Sequence, residues 1–263
     1  MNLFVVFGAL LIGIVLGLIG GGGSILTVPI FVYVLDVEPV LATAYSLFVV
    51  GIAALFGAIK NAQENLVEYK TGFVFAIPAF IGVYIARRFL LDLIPEIILK
   101  LGEFSLTKDM GIMMFFALIM ILASYFMIKD KNEQNINKKS SHNIYILIFE
   151  GFIVGVLTGI VGAGGGFIII PALVLFAGLP MKNAIGTSLM IIAIKSLFGF
   201  IGDLQNNNII IDWLLLGGFT FLSIIGIFTG LYFNKFIESN KLKKGFGWFV
   251  LVMGVSIVLK EII

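Results

Sequence analysis

Two glycine-rich runs are the segments of this sequence best suited to bind a ligand. "GLIGGGGS" covers residues 17–24 and "GIVGAGGG" covers residues 159–166, and a short apolar stretch containing a proline follows each run. A helix that begins at such a run carries unpaired backbone N–H groups and a partial positive charge, and glycine lets a ligand approach the backbone closely. These features predict an anion site. Its expected glycines are Gly20, Gly21, Gly22, Gly23, Gly162, Gly164, Gly165 and Gly166.

The same runs also permit a purely structural interpretation. Gly13 and Gly17, like Gly155 and Gly159, have the small-xxx-small spacing that allows two helices to pack closely in lipid. Packing alone and packing combined with ligand contact both stay open at this point. A nucleotide-binding loop is not expected, because neither run ends in Gly-Lys-Ser/Thr.

Polar side chains within one apolar segment extend the candidate site. Lys195 lies in the middle of "GTSLMIIAIKSLFGF", where a lysine costs roughly 2.5–3.5 kcal/mol on insertion scales and should therefore face the protein interior. Its charge would attract an anion, and the hydroxyls of Thr187 and Ser188, two turns earlier, would bind oxygens of that anion. Alternatively, Lys195 snorkels or pairs with Asp203, and the hydroxyls only bond the carbonyl four residues before them.

Other polar residues are given more ordinary roles. Arg87 and Arg88 end an apolar segment and are expected to anchor the topology. Glu150 is expected to be an interfacial carboxylate, with proton coupling as the alternative. Asn61 and Asp203 are expected to cap helix ends at equivalent positions.

The composition excludes several classes of protein. The chain has 263 residues, of which 60% are hydrophobic and 12% charged, against about 25% charged in a soluble domain; its mean hydropathy is +1.14. It is therefore expected to lie in a lipid bilayer. The absence of cysteine, the single histidine and the lack of a dense basic patch argue against an enzyme, a metal or other cofactor, and a nucleic-acid partner.

Apolar segments separated by short polar breaks predict an all-α polytopic membrane protein. Residues 3–20 are expected to form a retained helix and not a removable signal, because no basic residue precedes the apolar run. The stretch 87–109 is amphipathic and is expected along the membrane interface. Residues 25–35 and 167–178 are too short to span comfortably and predict broken or re-entrant helices. The candidate spans are 3–20, 39–59, 71–86, 110–128, 144–162, 181–201, 213–233 and 246–259.

The two halves of the sequence repeat. An offset of 142 residues places 17–61 on 159–203 without a gap, and 14 of these 45 positions are identical. The matches include four glycines of each run and the prolines Pro29 and Pro171, and they place Ser46 on Ser188. We therefore expect a first repeat at 1–128, a polar linker at 129–143 and a second repeat at 144–263. An internal duplication with interrupted hydrophobic segments is typical of secondary transporters.

The orientation of the repeats depends on the two short segments. If they cross, each half has five membrane segments and the halves are inverted; the loops 60–70, 129–143 and 234–245, which hold most of the lysines, then share the cytoplasmic side. If they re-enter, each half has four membrane segments and the repeats are parallel. We favour the inverted arrangement.

The paired glycine motifs, the prolines after them, "GTSLMIIAIKSLFGFIGDL" and "FALIMILASYFMIK" resemble the sulfite exporter TauE/SafE family, also called the 4-toluene sulfonate uptake permease family. The resemblance covers essentially the whole chain. It implies a multi-pass inner-membrane protein that moves small anions, often sulfur-containing oxyanions such as sulfite, sulfonates or sulfoacetate. By position, the family's motifs fall on Gly20–Gly23, Gly162–Gly166, Thr187, Ser188 and Lys195.

The sequence therefore predicts a secondary transporter for a small anion, with alternating access at the repeat interface. Its substrate-binding residues are the glycines named above together with Ser46, Thr187, Ser188 and Lys195. An ion or anion gradient would drive it, since no nucleotide-binding motif is present. The alternatives are an anion channel of the same architecture and a membrane subunit that does not transport.

Overall fold

The structure is a computed structural model. It describes residues 3–21, 23–101, 104–129, 144–161, 166–175, 177–204 and 211–262. All eight predicted spans fall on helices, as do the two short apolar segments. The helices are α1 Leu3–Ile19, α2 Gly23–Tyr33, α3 Pro39–Gln63, α4 Tyr69–Ile85, α5 Leu91–Leu93, α6 Lys108–Lys129, α7 Ile144–Val161, α8 Gly166–Leu175, α9 Met181–Leu204, α10 Trp213–Asn234 and α11 Ser239–Ile262.

The helices confirm the all-α polytopic membrane fold. Among the described residues, four stretches are long and apolar enough to cross a membrane: Pro39–Gln63, Tyr69–Leu90, Met181–Leu204 and Trp213–Asn234. Two shorter apolar helices cover Val5–Ile19 and Ile144–Ile160. A spanning helix needs roughly 20 apolar residues because only an internally bonded backbone is tolerated in lipid.

Local sequence sets the helix ends. Pro39 occupies the first turn of α3, where its missing N–H costs nothing. Asp212 caps α10 by accepting hydrogen bonds from the backbone N–H groups of Leu214 and Leu215. Helix α1 ends at Ile19, because Gly20 has φ +75°, a conformation that glycine adopts readily and other residues avoid.

Helices α3 and α9 form the centre of the molecule and run antiparallel. Gly199 of α9 lies against Leu47 near the start of α3, and Gly57 near the end of α3 lies against Leu189 of α9. Gly51 contacts Leu197 between these points. Most of both helices is buried, whereas α4 and α10 leave more of their surface exposed.

Each half contributes one helix to a tight pair with the other half. Gly13 and Gly17 of α1 lie against the backbone of α10 around Gly226 and Gly230. Gly155 of α7 lies in the same way against the backbone of α4. Helices α1 and α7 correspond under the 142-residue offset, as do α4 and α10, so the two pairings are equivalent. The small-xxx-small motifs therefore do pack helices, as both interpretations of the glycine runs expected.

The stretch 87–109 is more varied than an amphipathic interfacial segment. The π-helix Ala86–Leu90 continues α4 and α5 follows it, and a β-hairpin then pairs β1 Ile97–Leu101 with β2 Phe104–Thr107. The sequence pattern does not predict this hairpin. The hairpin brings the chain back towards α6, which packs along α11. We call the end of the α3–α9 pair reached by residues 86–107 the hairpin end.

The opposite end holds the loops 64–68 and 235–238, and we call it the basic end. Lys235 Nζ donates to Glu64 Oε1 at 2.8 Å and so joins the two loops. This hydrogen bond holds the pKa of the Glu64 carboxyl below its usual value. Both loops therefore lie on one side of the molecule.

The glycine contacts generate a test of this packing. A Cβ added at Gly230 would collide with the carbonyl of Ile14, whereas at Gly217, on the same helix, no atom lies within 4 Å of it. We expect Gly230→Ala to cost about 1–3 kcal/mol through overpacking and to lower the thermal midpoint in detergent. Gly217→Ala should leave the midpoint unchanged or raise it. Equal midpoints for the two variants would contradict the close α1–α10 contact.

Candidate functional site

The two glycine-rich segments meet inside the protein. Gly21 lies directly against Gly166, so that a Cβ at either position would collide with the backbone of the other. Gly166, the first residue of α8, also lies against Ile192 near the middle of α9. The sequence predicts that both segments belong to one site, and the structure brings these two glycines together.

Gly20 connects this contact to α9. Ser188 Oγ lies 3.1 Å from the carbonyl oxygen of Gly20 and 2.8 Å from that of Ile185, and its single proton is shared between these acceptors. Ser188 is fully buried. It thus holds the break between α1 and α2 on the surface of α9.

Gly23 has a packing role in this structure. It begins α2 and lies against Ile12 and Leu16 of α1, while Gly8 of α1 lies against Ile30 of α2. Helix α2 therefore folds back along α1 as a hairpin. The other predicted glycines, Gly22, Gly162, Gly164 and Gly165, lie outside the described residues.

Lys195 is buried, as its position within an apolar segment predicts. Only 1% of it is exposed, and its Nζ donates to Thr158 Oγ1 of α7 at 2.8 Å. The alternative of a pair with Asp203 is wrong, because Asp203 faces a different cation. Ser188 and Lys195 are seven residues apart and thus share one face of α9, about 10 Å apart along its axis.

The remaining predicted hydroxyls lie apart from one another. Thr187 Oγ1 accepts a hydrogen bond from the backbone N–H of Glu68 at 2.9 Å, which ties the start of α4 to α9. Ser46 is fully buried, and its Oγ has no hydrogen-bond partner among the described residues. Since α3 and α9 are antiparallel, Ser46 lies towards the hairpin end and Ser188 towards the basic end.

Sequence reasoning missed a buried ion pair. Arg87 and Asp203 were interpreted as a topology anchor and a helix-end cap, but only 4% and 6% of these residues are exposed. Arg87 Nη2 lies 3.4 Å from Asp203 Oδ2, and Arg87 Nη1 donates to Thr43 Oγ1 at 2.8 Å. The available signal was one acid, Asp203, and one basic pair, Arg87 and Arg88, at the ends of two apolar segments, because a charge in lipid is costly without a partner.

The polar groups near α3 and α9 show what this region can do chemically. The described residues contain no group of three or more His, Cys, Asp or Glu that could hold a metal ion. They offer instead buried hydroxyls, an ammonium, a guanidinium and the N-terminal ends of α2 and α8. Such donors suit an anion, which accepts hydrogen bonds and balances positive charge.

Known proteins are similar to the chain over most of its length. The family model described as "Sulfite exporter TauE/SafE" matches residues 5–257. A "Probable membrane transporter protein" of Xylella fastidiosa (strain Temecula1) is 26% identical over 261 residues, covering 95% of this chain and 92% of the relative. The "Probable membrane transporter protein YunE" of Bacillus subtilis is 28% identical over 233 residues, 78% of each chain.

A third relative matches a shorter region. The "Probable membrane transporter protein MJ0441" of Methanocaldococcus jannaschii is 34% identical over 116 residues, 42% of this chain and 43% of the relative. No solved structure matches. These relatives are named as probable membrane transporter proteins and not as enzymes, and the family model covers nearly the whole chain. The chain is therefore a multi-pass membrane transporter that belongs to the sulfite exporter TauE/SafE family.

Proposed function

We propose that this protein is a secondary transporter of a small anion, a sulfur-containing oxyanion such as sulfite or an organosulfonate, in the cell (inner) membrane. The observation that carries the proposal is the contact between Gly21 and Gly166 beside α9. Two helix breaks from the two halves meet there, and each precedes a helix whose N-terminal N–H groups can bind an anion. Transporters place substrate sites at such paired breaks.

The repeats 1–128 and 144–263, joined by the linker 129–143, are in our proposal inverted. Helices α3 and α9 are equivalent under the 142-residue offset and run antiparallel. A twofold axis parallel to two helices would make them parallel, whereas an axis perpendicular to them makes them antiparallel. The observed direction supports an axis in the membrane plane, which is the geometry of inverted repeats.

The same contacts support a site near that axis. Gly51 lies against Leu197 and Leu47 lies near Gly199. From this contact, Ala53 is two residues further along α3 and Lys195 is two residues back along the antiparallel α9. Ala53 and Lys195 therefore lie at the same level of the helix pair. These two residues are also equivalent under the offset, and equivalent residues share a level only at the axis. Lys195 thus lies close to the proposed midplane.

The proposed transport mechanism is based on the close packing of Gly21 against Gly166. No side chain fits between Gly21 and Gly166, so the site is closed in this arrangement. Rocking one repeat against the other would separate the two breaks and expose their backbone N–H groups. Lys195 and Ser188, on one face of α9, would then add positive charge and a hydroxyl donor to the oxyanion.

The lysine-rich loops indicate which end of the protein faces the cytoplasm. The loops 60–70, 129–143 and 234–245 hold ten of the fifteen lysines, and the Lys235–Glu64 contact joins the first and the last of these loops. The positive-inside rule places them in the cytoplasm.

Cysteine labelling tests the inverted topology, because the chain has no cysteine of its own. We expect single Lys70→Cys and Lys241→Cys variants to react with a membrane-impermeant maleimide from the cytoplasmic side. A Glu96→Cys variant at the hairpin end should react from the outside. All three wild-type residues are exposed. Reaction of Lys70→Cys and Lys241→Cys from opposite sides would contradict the inverted arrangement and favour parallel repeats.

Flux into proteoliposomes tests the substrate class. We expect saturable uptake of one or more of sulfite, thiosulfate, sulfoacetate and a sulfonate, and weak uptake of acetate and chloride. Saturation at slow turnover indicates a carrier, whereas single-molecule current would indicate the channel of the same architecture. A wild-type protein that moves none of these anions would contradict the proposal.

Lys195→Met tests the site itself. We expect anion affinity to fall about tenfold, since the removed charge corresponds to roughly 1.4 kcal/mol of interaction, while the protein stays monodisperse because Thr158 Oγ1 retains its bond to the carbonyl of Gly155. Lys182→Met is the matched control, as Lys182 is an exposed lysine on the same helix. Affinity in a folded Lys195→Met variant equal to that of the control would remove Lys195 from the site.

A further inference from the structure

We propose that Arg87 forms a second anion-binding site at the hairpin end of the α3–α9 pair, and that Asp203 is a tethered competitor for it. The inference rests on the proposed function, because the ligand would be the transported sulfur oxyanion on its way to or from the central site. It assigns to a buried ion pair a role beyond holding the helices together.

The guanidinium of Arg87 is only partly used. Its Nη1 donates to Thr43 Oγ1 at 2.8 Å. Its Nε and Nη2 have no hydrogen-bond partner within the described part of the chain, although Arg87 is buried. Nε–H and Nη2–H point from the same edge of the planar group, which is an edge that binds two oxygens of an oxyanion or carboxylate together. The fork that suits a sulfite or sulfonate is therefore the part left unbonded.

The carboxylate of Asp203 lies near this edge of the guanidinium but forms no hydrogen bond with it. Its Oδ2 lies 3.4 Å from Arg87 Nη2 and has no hydrogen bond of its own among the described residues. A buried ion pair repays the cost of desolvation only when its remaining donors and acceptors are satisfied. In this pair Arg87 Nε and Nη2 and Asp203 Oδ2 have no hydrogen bond among the described residues, so the pair contributes little to holding the helices together. The arrangement fits a carboxylate that neutralises the guanidinium until an anion replaces it.

Hydroxyls in the same region also lack partners. Ser46 lies one turn after Thr43 on the same face of α3, and Ser196 lies seven residues before Asp203 on one face of α9. The Oγ atoms of both serines are buried, with no hydrogen bond in the described ranges. Unpaired buried polar groups are rare and call for an explanation. Along the antiparallel α3–α9 pair, both serines lie between the level of Arg87 and the level of Lys195.

The backbone supports a functional role for this place. Arg87 lies in the π-helix Ala86–Leu90, a form that is rare and occurs often at functional sites. It places Arg87 beside Gly202 of α9, where a Cβ added to the glycine would make an ordinary van der Waals contact with Arg87 Cβ at 3.7 Å.

The site has no counterpart at the basic end. The 142-residue offset places Arg87 on Thr229 and Asp203 on Asn61. Both neutral groups bond their own helices: Thr229 Oγ1 donates to the carbonyl of Ile225, and Asn61 Nδ2 donates to that of Gly57. The charged site is thus confined to one end, so the anion meets a different environment on each side of the membrane.

The test measures anion binding to the purified full chain by calorimetry, with sulfite and sulfoacetate as probes. We expect Asp203→Asn to tighten binding about tenfold or more, because a like charge a few ångströms from the anion is removed. The double variant Arg87→Gln/Asp203→Asn should lose this gain, and it stays foldable because both charges of the pair are removed together. Arg88→Gln is the matched control, since Arg88 is the exposed neighbour of Arg87, and it should leave affinity unchanged.

Two outcomes would overturn the inference. Unchanged affinity in a monodisperse Asp203→Asn protein would mean that Asp203 does not compete for the site. A gain that persists without Arg87 would mean that the anion binds elsewhere. Flux is measured on the same proteins, which separates the two proposals. If the wild-type protein transports an anion but Asp203→Asn does not tighten binding, only this site is overturned. If binding tightens in a way that needs Arg87 but the wild-type protein shows no transport, the transport proposal is overturned and this site is supported.

Discussion

The fold depends on the close approach of helix backbones at glycine. Gly13 and Gly17 allow α1 to lie on α10, and Gly155 allows α7 to lie on α4. In lipid no hydrophobic effect drives helices together, so close packing between small residues has to hold them. These two contacts tie each half to the other, and they enclose the α3–α9 pair. Every polar group of the candidate site is carried by, or bonded to, helices that these contacts position.

Enclosure by glycine contacts explains why the centre can hold polar side chains. Lys195, Ser188 and Thr187 are all buried and all hydrogen-bonded. Polar groups at membrane depth are tolerated where protein surrounds them and supplies partners. The Arg87–Asp203 pair is enclosed equally well but leaves donors and acceptors unused. The two places therefore differ in hydrogen bonding and not in burial: Lys195, Ser188 and Thr187 are hydrogen-bonded, whereas Arg87 Nε and Nη2 and Asp203 Oδ2 have no hydrogen bond among the described residues.

The sequence predicted the helices well because lipid imposes a strong composition rule. Each apolar segment of sufficient length became a helix, and the glycine runs marked the breaks before α2 and α8. Contacts between distant segments were harder to predict. Nothing in the local pattern of Arg87 indicates that it turns inward through a π-helix to reach Thr43 and Asp203. The β-hairpin was missed for a related reason, since "IILKL" and "FSLT" are too short for periodicity to distinguish a strand from a helix.

Duplication explains the scaffold, and departures from it explain the chemistry. The equivalent pairings of α1 with α10 and of α7 with α4 both use the glycines of α1 and α7 that the two halves share, Gly13 with Gly155 and Gly17 with Gly159. The charged groups do not follow the repeat: Lys195 falls on Ala53, Arg87 on Thr229 and Asp203 on Asn61. A perfectly symmetric carrier would present the same site to both sides of the membrane. In the proposed anion carrier, charges placed in only one copy would remove that equality, so that the energy of a bound anion would differ between the two ends while the shared glycine packing is kept.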